Sequence, residues 1–207
     1  MQKKQENSSQ QNSTFGDFQR RIRVISYISM FTTLMVVGAY IKIPFFFVPL
    51  TLQTFFVLLS GNLLGARFGA LSQLIYLILG LAGLPIFAFG GGLGYIFQPS
   101  FGYLMAYPIA AYISGTLIEL IYQYTKKDLH FIKSFFSKIF FANIIGVLFI
   151  FIFGVIYLYC DCNFVIGTKI SFDGAFFYGF IIFLPGAILK VILVSIVTIR
   201  IKKYLIF

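Results

Sequence analysis

Charge is what this 207-residue chain has least of. Charged residues make up 11% of it and hydrophobic residues 59%, with a mean hydropathy of +0.94. A soluble domain carries about 25% charged residues because its surface has to meet water. A chain this poor in charge cannot cover a sphere with polar side chains, so its solvent is largely lipid. That excludes a soluble enzyme and a nucleic-acid-binding domain. The formal net charge of +10 does not bring nucleic acid back. The basic residues lie in short clusters between long apolar runs, which is how a membrane protein fixes its orientation.

The groups that carry catalytic chemistry are nearly missing. The single histidine, His130, falls in a basic loop and reads as a solvated loop residue. The two cysteines form Cys160-Asp161-Cys162. A metal site needs three or four ligands, and a Cys-x-Cys disulfide would be strained, so both read as incidental. The six carboxylates are Glu6, Asp17, Glu119, Asp128, Asp161 and Asp173. Glu119 is the one inside an apolar span; near its end, it reads as snorkelling toward Lys126 and Lys127. No Gly-x-x-x-x-Gly-Lys-Ser/Thr loop is present, so this chain does not itself hydrolyse ATP. No apolar stretch of about 7–15 residues with a small-residue cleavage site opens the chain, which speaks against a secretory signal.

What is there is organised in two parts. Residues 1–20 are polar and lack apolar period, and read as a disordered cytoplasmic tail. Residues 21–207 hold six apolar spans, at 24–43, 51–64, 69–84, 103–122, 139–159 and 175–199. A crossing needs about 20 apolar residues, so the second and third must pack inside a bundle or be extended by buried loops. No span alternates as the strands of a membrane barrel would. The expected class is therefore an all-α polytopic membrane protein with six transmembrane helices.

With the amino terminus inside, the inner side receives Lys3, Lys4, Arg20, Arg21, Arg23, Arg67, Lys126, Lys127, Lys133, Lys138, Arg200, Lys202 and Lys203. The outer side receives Lys42 and Lys169, and Lys190 falls within the last span. This skew puts both termini in the cytoplasm.

Lys190 is the informative charge, because a lysine at the bilayer centre costs roughly 2.5–3.5 kcal/mol. Two readings are open: a snorkelling side chain, or an ammonium facing the bundle interior toward an anionic ligand. No carboxylate of this chain lies at matching depth, which makes a ligand carboxylate the natural partner. Pro185-Gly186 just before it loosens the helix.

Pro44 and Pro49 impose a rigid outer loop, after which Thr51 and Gln53 open the second span with polar groups turned inward. Gly90-Gly91-Gly92 lets backbone approach a ligand closely, with Tyr76, Phe87, Phe89, Tyr95, Phe97 and Tyr103 as aromatic surface nearby or as part of an interfacial belt. Together these residues describe an apolar-walled outer pocket with one cation, suited to a small amphipathic carboxylic acid.

Several segments resemble one family in order: Ile41-Lys42-Ile43-Pro44, Val48-Pro49-Leu50-Thr51-Leu52-Gln53-Thr54, Leu59-Ser60-Gly61-Asn62-Leu63-Leu64-Gly65, the run from Tyr76 to Phe87, Gly90-Gly91-Gly92 and Pro99-Ser100-Phe101-Gly102-Tyr103. They are similar to BioY, the biotin-specific substrate-binding (S) component of energy-coupling factor (ECF) transporters, over residues 24–203. The resemblance implies biotin uptake through the plasma membrane of a prokaryote. Biotin would be the transported ligand rather than a cofactor, with no enzymatic activity and with a T component and two ATPases as partners. It implies substrate contacts from Lys190, Gln53, Thr51, Tyr76, Phe87, Gly91, Gly92 and Tyr103.

Two departures stand out. The family's last helix carries Asp-x-x-Lys, and here Ala187 stands where the Asp would be, three residues before Lys190. The family's first helix docks through small residues of the Ala-x-x-x-Ala kind, which Thr32-Thr33-Leu34-Met35-Val36-Val37-Gly38-Ala39 blurs. A related carboxylate such as dethiobiotin, and a membrane assembly protein in which Lys190 pairs with a partner's acid, are the alternatives.

Overall fold

The apolar runs fold as helices because lipid offers the backbone no hydrogen-bond partner, so each segment has to satisfy itself. The computed structural model describes residues 2–45, 47–125 and 132–202. His130, Lys126, Lys127, Asp128 and Lys203 lie outside the described residues, as do the side chains of Lys3, Lys4, Lys133 and Lys202.

Helix α1 covers Gln2–Tyr40, and its apolar part is Phe18–Tyr40. The polar stretch that the sequence reads as unfolded is helical from Gln2; it is rich in good helix formers and no proline interrupts it. Two short strands follow, β1 Lys42–Ile43 and β2 Leu50–Thr51, antiparallel with Lys42 opposite Thr51. Then come α2 Gln53–Leu64, α3 Ala66–Leu81, α4 Phe101–Thr125 and α5 Ile132–Cys160. The last helix continues as a π-helical stretch, Asp161–Ile166. Both cysteines are free.

The final span departs from the single helix that the sequence predicts. It is built from α6 Phe172–Gly179, a 3-10 turn Ile181–Phe183 and α7 Leu184–Lys202. The helix stops at Phe180, whose backbone (φ −129°, ψ −62°) is not helical, and restarts with Pro185 in the first turn of α7. There the missing proline N–H costs nothing, since first-turn amides have no intrahelical partner. Ser171 caps α6, its hydroxyl accepting from the Gly174 amide at 3.1 Å.

Among the described residues, four stretches are long and apolar enough to cross a bilayer: Phe18–Tyr40, Phe101–Tyr124, Phe135–Ile166 and Phe172–Ile201. Helix α2 has 12 residues, about 18 Å at 1.5 Å each, well short of a roughly 30 Å hydrocarbon core. It survives as the sequence suggests, by burial. Gln53, Val57–Asn62 and Leu63 are all buried, and α2 packs on α1, α3, α4 and α7.

Small residues let these helices approach. A Cβ on Gly61 would stand 2.3 Å from the Ala111 carbonyl oxygen, and one on Gly115 2.7 Å from the Ala66 Cα. The turn between α2 and α3 needs Gly65 at φ +84°, and the Ala66 amide that opens α3 donates to Glu119 at 2.9 Å. Glu119 therefore binds the N-terminal pole of α3, where a carboxylate is favoured; the sequence expects it to turn toward lysines.

Polar residues clasp the same half of the bundle. Asn62 Nδ2 donates to Asn143 Oδ1 and to Thr198 Oγ1, both at 2.9 Å, and Asn143 Nδ2 donates to Ser195 Oγ at 3.2 Å. These bonds join α2, α5 and α7.

Gly61→Val is expected to destabilise the purified protein by about 1–3 kcal/mol, the usual cost of overpacking. Gly94→Ala, where a Cβ meets open space, serves as the control in thermal melts. Equal melting temperatures for the two variants would remove the α2–α4 seam as a constraint.

Candidate functional site

A cavity lies at the end of the bundle that carries the β1–β2 hairpin. Its free volume is about 40 Å³. The connection from α1 to α2 supplies Val48, Pro49 and Thr51, and α2 supplies Gln53 and Thr54 from its first turn. Ala88, Tyr95 and Ser100 come from the segment between α3 and α4. Tyr103, Leu104 and Tyr107 come from α4, and Ile150 and Phe151 from α5. Phe183, Ala187 and Lys190 complete the wall at the broken span.

Of the residues singled out from sequence, Lys190, Thr51, Gln53 and Tyr103 meet here. Part-buried Lys190 donates from Nζ to the Thr51 backbone carbonyl at 2.7 Å. That carbonyl is available because Thr51 ends a two-residue strand just before α2 begins. An ammonium has three N–H donors, so two remain for a ligand. Among the described residues, no Asp or Glu lines the cavity.

The polar wall is ordered as a chain. The Thr51 hydroxyl donates to Gln53 Oε1 at 3.1 Å and accepts from the Gln53 amide at 3.4 Å. Gln53 Nε2 donates to the Tyr76 oxygen at 2.8 Å, and Tyr76 donates in turn to the Ile86 carbonyl at 2.9 Å. Tyr76 thus stands behind Gln53, in a supporting layer.

Phe87 is in that layer too, 1% exposed, 5.4 Å from the Tyr76 ring and 4.7 Å from the Tyr95 ring. Gly80 makes room for it: a Cβ there would meet the Phe87 ring at 2.0 Å.

The glycine run packs against backbone and stands outside the cavity wall. Gly92, at φ +94°, donates its amide to the Gly80 carbonyl at 2.7 Å. A Cβ on Gly91 would sit 2.0 Å from the Leu84 carbonyl oxygen. The sequence expects this backbone to approach a ligand; in the structure it approaches the end of α3 instead.

The apolar wall is aromatic. Tyr103 stacks on Phe183 at 6.3 Å, meets Phe151 edge-on at 6.5 Å and donates its hydroxyl to the Gly179 carbonyl at 2.7 Å. That last bond holds the end of α6 where the span breaks.

The segment between α3 and α4 covers the site and is tied down from three sides. Tyr40 donates to the Pro85 carbonyl at 2.6 Å, and Tyr157 donates to the Ile96 carbonyl. Lys42 donates to the Ala88 carbonyl and lies 4.8 Å from the centre of the Phe89 ring.

Sequence reasoning missed Tyr107, Thr54, Ser100, Ile150, Phe151 and Phe183. Tyr107 had a signal, since it lies one turn after Tyr103 on the same face of α4. Phe151 had none, being one aromatic in a uniformly apolar span.

The whole chain matches known proteins. Residues 5–207 match the profile of the BioY family. The chain belongs to the BioY family. It is 46% identical over 154 residues to the probable biotin transporter BioY of Lysinibacillus sphaericus, covering 74% of each chain. It is 33% identical over 183 residues to the biotin transporter BioY of Thermotoga maritima, covering 88% of this chain and 97% of that one. Among solved structures, it superimposes on the S-component for biotin from an ECF-type ABC transporter with a TM-score of 0.75. That match, at 24% identity, covers 89% of this chain and 93% of the other and fixes the fold as that of an S component.

Gln53→Leu removes the link between Thr51 and Tyr76 while keeping the volume. It is expected to weaken ligand binding at least ten-fold, and Tyr76→Phe, one layer back, to weaken it less. Titration calorimetry on both variants checks the order; a larger loss for Tyr76→Phe would put Tyr76 in the wall.

Proposed function

We propose that this BioY-family protein takes up biotin, capturing it in the cavity beside Lys190 and releasing it to the cytoplasm. It is a transporter component, and no catalytic step is assigned to it. The observation that carries the reading is the Lys190 ammonium in a cavity that no carboxylate of the described residues lines, beside ordered neutral donors and acceptors and an aromatic wall. Biotin offers a carboxylate, a ureido ring that both donates and accepts, and an apolar chain. Lys190 takes the carboxylate, and the N-terminal pole of α2 at Gln53 adds positive potential. Gln53, Thr51, Tyr95, Ser100 and Tyr107 serve the polar ring, while Tyr103, Phe151 and Phe183 enclose the apolar part. Tyr76, Phe87, Gly91 and Gly92 hold this wall from behind.

A free volume of about 40 Å³ accommodates roughly three waters on a scale of 10–15 Å³ each. Sites for small molecules occupy about 300–1,000 Å³. Ligand entry therefore moves side chains, with Phe183 at the break in the last span and the tied segment over Ala88 as the parts that give.

The chain crosses the membrane six times with both termini in the cytoplasm. The Lys and Arg skew supports this, and the short helices α2 and α3 are extended by the connections on either side of them, from which Val48, Phe87, Ala88, Tyr95 and Ser100 are buried against the bundle. The cavity then opens to the outside of the plasma membrane of a prokaryotic cell. The polar residues 1–20 form an arm on the inner side, separate from the bundle at 21–207. Release inward is driven by a T component and two ATPases of an ECF module.

Lys190→Ala is expected to weaken biotin binding by roughly 1.5–3 kcal/mol, the range for a hydrogen bond to a charged group, and to leave binding of neutral biotin amide within a factor of about three. Calorimetry with both ligands checks it. Equal losses would take the carboxylate away from Lys190. Tighter binding of dethiobiotin than of biotin would make Ala187 the mark of a changed ligand.

A further inference from the structure

Helices α4 and α5 run side by side, but their packing changes along the way. At the cavity end, small residues bring them together. A Cβ on Gly102 would sit 2.1 Å from Tyr157 Cβ, one on Gly154 2.2 Å from the Tyr103 ring, and Ala106 and Ala110 are fully buried. Past Ser114, with Gly115 turned to Ala66 on α3, larger side chains of α4 meet α5. Leu117 and Ile121 on α4 then face Ala142 and Ile145 on α5, and a groove of about 430 Å³ opens between the helices.

Its floor is firm. Ala142 belongs to a packed cluster with Ile118 and Ile139, both fully buried. Its rims are exposed: Leu120 at 42% and Phe141 at 61%. Lys138 also lines the groove, is exposed, and lies toward the end where α4 stops and α5 starts. Glu119, the acidic residue of α4, is bonded to the Ala66 amide on α3.

We infer that this groove is a binding site for an anionic phospholipid, one acyl chain lying between α4 and α5 and the headgroup held by Lys138. Leu117, Leu120, Ile121, Phe141, Ala142 and Ile145 give an apolar wall of about two helical turns for part of an acyl chain, and among the described residues the charge that lines it is the positive Lys138. Basic pockets between transmembrane helices on the cytoplasmic side select anionic lipids in this way. In the orientation proposed above the groove opens to the cytoplasmic leaflet. The site is independent of the biotin cavity at the other end of α4.

The test uses the purified full chain in nanodiscs of equimolar phosphatidylglycerol and phosphatidylcholine, with retained lipid counted by native mass spectrometry. Wild type is expected to retain phosphatidylglycerol about five-fold over phosphatidylcholine, from one lysine near the surface. Lys138→Gln is expected to bring the ratio to near one without loss of biotin binding. Ala142→Leu fills the floor and is expected to lower retention of both lipids. Equal retention by wild type overturns the site, as does an unchanged ratio in Lys138→Gln. So does a dimer that protects Leu120 and Phe141, which would make the groove an interface between copies.

Discussion

Lipid does not hydrogen-bond, and every unusual feature of this protein is an answer to that constraint. A lysine in an apolar span is the hardest case, because its charge loses hydration and, among the described residues, no carboxylate lines its surroundings. The Thr51 carbonyl meets Lys190 at 2.7 Å. That carbonyl exists because the chain leaves helical geometry between α1 and α2 at a place covered by protein. The broken final span follows the same logic, since the backbone freed near Phe180 is held by the Tyr103 hydroxyl on Gly179 and by a proline that needs no partner. Irregular backbone and buried charge are thus concentrated at one end of the bundle, around one cavity.

The opposite end is built differently. Glycines at 61, 69 and 115 draw α2, α3 and α4 together, and the Asn62–Asn143–Thr198 clasp fixes α7 against α2 and α5. Close packing and side-chain amide bonds make this half a rigid base. A rigid base with a soft, polar, tied-down cap is what a binding component needs: the cap admits a ligand while the base keeps the helices in register.

Much of this was legible in the sequence, for identifiable reasons. The long apolar runs announced the helices, and residues out of place in them, Lys190, Gln53 and Thr51, announced the cavity. Tyr103 was named as aromatic surface near the glycine run. The break at Phe180 was not found, because Phe172–Ile201 reads as uniformly apolar and only Pro185-Gly186 hints at it. Phe151 and Phe183 were invisible among 28 phenylalanines: where aromatics are everywhere, none stands out. The glycine run was read as backbone that approaches a ligand, and here it packs against the carbonyl end of α3 instead, because sequence carries no sign of what approaches.

Equilibrium binding of biotin to the purified chain by calorimetry, with no partner present, bears most directly on what the cavity holds. Nanomolar affinity, about −12 kcal/mol, with one biotin per chain is the expected result. A folded protein that binds no biotin would contradict the cavity beside Lys190 as a complete biotin site.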